Sequence, residues 1–135
     1  MNVQLLSPDT LHKNPAFSQV AVVPASAKIV FVGGQNGVNR EGKVVGSDIA
    51  SQSEQAYKNV VAALEAAGAS LQDVFKMTIY IVQGQSLQEA FQAAQRVNPG
   101  LGAGDVTPPI VTGIFVSALA TPEYLIEIEA VAGIS

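Results

Sequence analysis

The chain has 135 residues and a mass of 14.0 kDa, room for one domain. Apolar residues make up 48% and charged residues 13%, which excludes a disordered chain. The absence of cysteine excludes disulfides and thiol chemistry, the single histidine excludes a multi-histidine metal site, and the net charge of −4 argues against a nucleic-acid partner.

In chain order, β-branched residues at 18–24 and 28–32, separated by Pro24-Ala25-Ser26-Ala27, predict a β-hairpin. Gly33-Gly34-Gln35-Asn36-Gly37 is expected to break the second strand, and two adjacent glycines let another group approach the backbone closely. Ile49, Ser53, Ala56, Val60, Ala63, Leu64 and Ala67 recur at helical spacing. Ser47 or Asp48 can cap that helix, and Gly68 can end it in the left-handed conformation. Residues 74–82 read as a strand apolar on both faces, with Phe75, Met77, Ile79 and Ile81 on one of them. Ser86-Leu87-Gln88-Glu89 has the spacing of a capping box. It opens a second helix with an apolar stripe of Leu87, Ala90, Phe91, Ala94 and Val97, stopped by Pro99-Gly100. Two strands follow, at 110–117 and 124–132, and in the second Glu127 and Glu129 share one face.

The order ββαβαββ predicts an α+β domain spanning residues 1–135 with both helices on one face of the sheet. Only 18 charged residues accompany 19 alanines and 18 valines. The uncovered sheet face is therefore expected to meet another copy of the chain. No apolar run approaches the roughly 20 residues of a membrane helix, and Met1-Asn2-Val3-Gln4 lacks the pattern of a signal peptide. A cytoplasmic protein with no membrane partner is the expectation.

Few residues carry chemistry by themselves. His12 is isolated in a polar stretch and reads as a surface residue. Gly33-Gly34 lacks the Lys-Ser/Thr of a phosphate loop. It reads as a turn or as the backbone wall of a small-molecule cleft. Glu127 and Glu129 form the one acidic pair on a predicted strand. A glycosidase pair draws on separate elements and an aromatic sugar groove, which a chain without tryptophan does not suggest. The remaining readings are a solvated or subunit-edge pair, or one glutamate acting as a proton shuttle in a mostly apolar cleft.

Several segments resemble the Rid family, also called YjgF/YER057c/UK114 or L-PSP endoribonuclease. They are Phe31-Val32-Gly33-Gly34-Gln35, the run from Asn59 through Leu64-Glu65-Ala66-Ala67-Gly68-Ala69-Ser70-Leu71, Val74-Phe75-Lys76-Met77-Thr78, and Ile126-Glu127-Ile128-Glu129-Ala130-Val131-Ala132. The resemblance implies a chorismate-mutase-like fold, a homotrimer with a central barrel, and small-molecule clefts between subunits. It implies hydrolysis of reactive imines and enamines without metal or organic cofactor. A last-strand glutamate lies near a water in that family, and it matches Glu127.

The substrate-anchoring arginine of the family is replaced by Val111, or by Ile110 on a one-residue shift. Gly33 stands for a serine, Phe17 for a tyrosine and Phe91 for an asparagine. With Gly34 and Gly113 these residues make up the expected substrate-binding set, and Glu127 is the expected catalytic residue. Loss of a charge-assisted contact of about 1.5–3 kcal/mol weakens carboxylate binding about 10- to 100-fold. A neutral or cationic ligand suits such a cleft better than an anion. Three functions follow: a divergent imine or enamine hydrolase, a non-catalytic small-ligand trimer, and, weakest on charge grounds, an endoribonuclease. Arg96 or Lys13 of a neighbouring copy is a candidate to replace the missing charge.

Overall fold

The computed structural model describes residues 3–104 and 106–135. Among the described residues six strands form two sheets. β1 (Gln4–Leu6) pairs antiparallel with β2 (Val20–Val22). β3 (Lys28–Asn36), β4 (Val74–Val82), β5 (Ile110–Val116) and β6 (Ile126–Ile134) form a mixed sheet of order β3-β6-β4-β5. β6 runs antiparallel to both its neighbours, and β5 runs parallel to β4. Parallel neighbours need a crossover, which α2 (Leu87–Val97) supplies between β4 and β5. α1 (Ile49–Ala66) makes the corresponding crossover from β3 to β4, with β6 inserted between them.

Both helices lie on one face of the four-stranded sheet, as the order of elements predicts. α1 buries Ile49, Ala56, Tyr57, Val60 and Leu64 against β3 and β6. Period-two alternation on β6 puts Ile126, Ile128, Ala130 and Ala132 into the same core. Asp48, one of the two predicted caps, accepts the Ser51 N–H at 2.8 Å. Gly68 follows the helix at φ +76°, where a side chain would be strained. Ser86 Oγ accepts the Glu89 N–H at 3.1 Å and starts α2. No helix among the described residues is long and apolar enough to cross a membrane.

Four expectations fail, the first three through non-local strand pairing and the fourth in the packed face of α2. The predicted hairpin does not form. The turn at 24–27 is present, with Ala27 N donating to Pro24 O at 3.0 Å, but β2 pairs with β1 and β3 pairs with β6. β-propensity does not name a partner, and the buried alternation of β6 is the stronger template for β3. Gly33-Gly34 does not end β3. The register passes from Val32 opposite Ala130 to Gln35 opposite Ile128, one extra residue, so the glycines form a bulge. Another bulge lies between Val74 and Lys76. It places Val74 with Met77, Ile79 and Ile81 beneath the helices and turns Phe75 toward Gly133 on the other face. Ala93, outside the predicted stripe of α2, is fully buried while Leu87 is exposed.

Candidate functional site

The residues singled out in the sequence separate into two sets on opposite faces of the sheet. Glu127 lies on the open face of β6, opposite Asn36 of β3 and Tyr80 of β4. The Asn36 amide donates to Ile126 O at 2.9 Å and to Glu127 Oε1 at 3.4 Å. The Glu127 carboxylate lies over Gly34, and a Cβ there would collide with Glu127 Oε2. This close approach explains the absence of a side chain at Gly34, whereas the Gly33 Cβ position faces open space. Beside Glu127, the Tyr80 hydroxyl donates to Glu129 Oε1 at 3.0 Å. That bond holds the Tyr80 phenol above its usual range, helped by burial and by the charges of Glu129 and Glu127.

The second set lines an apolar cavity of about 320 Å³ between α2 and the β4–β5 half of the sheet. Phe17, Phe91, Val111 and Gly113 are all in its wall. Phe17 reaches it because the preceding loop is tied to the start of β5. Ser18 N donates to Pro109 O at 2.9 Å, and Ser18 Oγ donates to Pro108 O at 2.6 Å. Phe91 projects from α2, with Gly102 packed against its ring. Ile110 pairs with Lys76 and bridges to Ser18, and it is not in the cavity wall. His12 is exposed and meets Phe17 edge-on, with ring centroids 5.9 Å apart.

Neither Glu127 nor Glu129 lines the cavity, and none of the described residues of its wall is charged. The two cations considered from sequence are engaged within the chain. Arg96 Nε contacts Glu54 Oε1 at 2.8 Å, and Lys13 Nζ contacts Asp9 Oδ1 at 2.9 Å. Lys58 adds a second contact to Glu54 at 3.2 Å. Arg96 first, then Lys58, holds the Glu54 carboxyl below its usual range. Among the described residues no three His, Asp or Glu side chains are grouped to hold a metal ion.

Four residues of the site region escaped the sequence analysis. Asn36 orients Glu127. Arg40 shares a shallow polar depression with Gly34 and Asn36. Asn59, on α1, donates to Asn36 O at 3.1 Å and Val38 O at 2.8 Å, which fixes the end of β3. Ser53, also on α1, lies in the cavity wall. Helical spacing marked Ser53 for the core, but nothing local marks any of the four as facing a site.

A model of the endoribonuclease L-PSP family matches residues 9–134. The chain is similar to YyfB of Yersinia pestis, a Rid-family protein of unknown function, with 32% identity over 99% of this chain and 100% of that one and a TM-score of 0.82. It is similar to Escherichia coli TdcF, solved with bound serine, at 27% identity over 84% of this chain and 85% of that one, TM-score 0.69. A RutC family protein of Pyrococcus abyssi is 45% identical over 53 residues, 38% of this chain and 42% of that one, so the match spans less than half of that curated relative. The chain belongs to the endoribonuclease L-PSP family, the Rid or YjgF/YER057c/UK114 group that its sequence resembles.

Proposed function

We propose that this protein is a homotrimer that binds a small uncharged or amine-bearing metabolite in clefts between subunits, and that Glu127 hydrolyses imine-type ligands there. The observation that carries this reading is the division of the expected site. Gly34 and Glu127 lie on the open face, while Phe17, Phe91, Val111 and Gly113 lie around the helix-side cavity. A second copy seated on the open face brings one set against the other. Phe31, 77% exposed on that face, supports such a contact.

In this reading Glu127 removes a proton from water as the water oxygen bonds to the imine carbon. It passes that proton to the nitrogen to give a carbinolamine, then takes the hydroxyl proton and delivers it to the amino group as the C=O bond forms and the C–N bond breaks, releasing a carbonyl compound and ammonia. Val111 in place of a cation leaves the carboxylate of an amino-acid-derived imine without an ion-pair partner. Substrates without a carboxylate are therefore favoured. The test couples the protein to an amino-acid oxidase for acidic and neutral amino acids, and to an amine oxidase for the decarboxylated analogues, and follows imine loss. Turnover above buffer that disappears in Glu127→Gln supports the reading. Equal rates with and without protein across all substrates remove the hydrolytic part. A solution mass of three times the 14.0 kDa chain is expected, and a monomer removes the shared cleft.

A non-catalytic ligand-binding trimer is the second reading, favoured by the uncharged wall of the cavity. The endoribonuclease activity in the family's name has little support in a chain of net charge −4.

A further inference from the structure

The cavity between α2 and the sheet contains a polar group that the protein itself does not use. Ser53 is 1% exposed and lines the cavity, and its hydroxyl has no hydrogen-bond partner among the described residues. Buried hydroxyls are nearly always paired, so an orphan beside an open volume points to a missing partner. Tyr57 and Asn98 are the neighbouring polar residues of the wall. The Asn98 amide donates to the Tyr57 hydroxyl at 3.4 Å, a bond that leaves the phenol proton uncommitted. The rest of the wall is hydrocarbon or aromatic ring, including Phe17, Ile79, Ile81, Phe91 and Ile128.

The space has a structural origin. α2 packs on α1 and stands away from the sheet, and it turns the short side chains of Ala90 and Ala94 toward the gap. Across from it, a Cβ on Gly113 would meet nothing within 4 Å. A dry apolar cavity of about 150 Å³ takes up benzene. The present cavity, at about 320 Å³, has room for a two-ring molecule.

We infer that this cavity binds an uncharged, largely hydrocarbon molecule of about two-ring size, and that Ser53 receives the ligand's single hydrogen-bonding group. This deepens the proposed function by naming the ligand class of the helix-side half-site. It adds Ser53 as the residue that discriminates an alcohol or carbonyl from a plain hydrocarbon. Anions are disfavoured because no cation lines the wall among the described residues.

The test uses the full-length protein and three probes of nearly equal shape: naphthalenemethanol, methylnaphthalene and naphthoate. Binding is measured by titration calorimetry and located by shifts of the Ile79, Ile81 and Val111 methyl resonances. The alcohol is expected to bind about three- to tenfold more tightly than the hydrocarbon, the range of one neutral hydrogen bond. Ser53→Ala should bring that ratio to about one and leave hydrocarbon binding intact. Gly113→Leu and Ala94→Leu, which fill the space from opposite sides, should each weaken both neutral probes by about tenfold or more. Absence of saturable binding by either neutral probe overturns the inference. So does an alcohol preference that survives in Ser53→Ala, or naphthoate binding as tightly as the alcohol. Repeating the titrations in Glu127→Gln separates the two proposals. Unchanged probe binding there, beside an absence of imine turnover in the parent protein, keeps the cavity and removes the hydrolase.

Discussion

The two faces of the four-stranded sheet are built from alternate residues of the same strands and differ in almost every property. On β6 the helix face carries Ile126, Ile128, Ala130 and Ala132, all buried, and the open face carries Glu127, Glu129 and Val131, all half-buried. The helix face is covered by α1 but only bridged by α2, which leaves an apolar cavity with one orphan hydroxyl. The open face holds the two carboxylates in hydrogen bonds from Asn36 and Tyr80 and exposes Phe31. One face is finished within the chain apart from its cavity. The other leaves Phe31 exposed on the same face as half-buried carboxylates. The residues that the sequence resemblance singled out fall on both faces.

The largest test of that contrast is stability against assembly. Leu64→Ala, on the fully buried side of α1, should lower the unfolding free energy by about 2–5 kcal/mol in urea titrations. Phe31→Lys on the open face should change folding little and reduce the solution mass to that of one chain, read by sedimentation. If Phe31→Lys remains assembled, the open face is not the subunit contact.

Next in size is the missing charge. Val111→Arg should restore a carboxylate anchor worth about 1.5–3 kcal/mol. It should raise turnover or affinity for amino-acid-derived imines about 10- to 100-fold over the parent. Arginine at this position with no gain for any carboxylate substrate means that Val111 does not face the ligand.

A smaller effect is expected at Ser53. Removing an unpaired buried hydroxyl relieves a desolvation cost, so Ser53→Ala without ligand should raise stability by about 1 kcal/mol, or a few degrees in Tm. A fall of that size would mean that the hydroxyl is satisfied in solution.

The smallest effect belongs to the Glu54 ion pairs. The folded pKa of Glu54 lies below its unfolded value because of Arg96 and then Lys58. Its contribution is therefore present above the unfolded pKa and is lost as pH falls through the folded one. Arg96→Ala should cost less than about 1 kcal/mol at neutral pH, as for other surface pairs, and nothing once Glu54 is protonated. Urea titrations of both proteins at neutral and strongly acidic pH measure the difference.

Much of this molecule is legible in its residues. The limits of β4, the cap and stop of α1, the start of α2 and the opposed faces of β6 all follow from period, capping chemistry and turn residues. The pairing of Glu127 with Gly34 is only half legible. Two adjacent glycines announce a close approach, but not which side chain comes close. Nothing local marks Asn36, Arg40, Ser53 or Asn59 as facing a site, because their placement comes from the loop and helix that tertiary packing brings beside them.

The amino-acid order by itself determined the secondary elements other than β1, which it did not mark, together with the single-sided helical cover and the family. These depend on interactions within a few residues or on alternation along one strand. Tertiary structure alone decided that β2 joins β1, that bulges at 33–34 and near Phe75 redirect side chains, and that the expected site lies on two faces. The physical reason is that strand partnership and register are set by which buried faces fit together across long stretches of chain, and the pattern of one segment does not contain its partner.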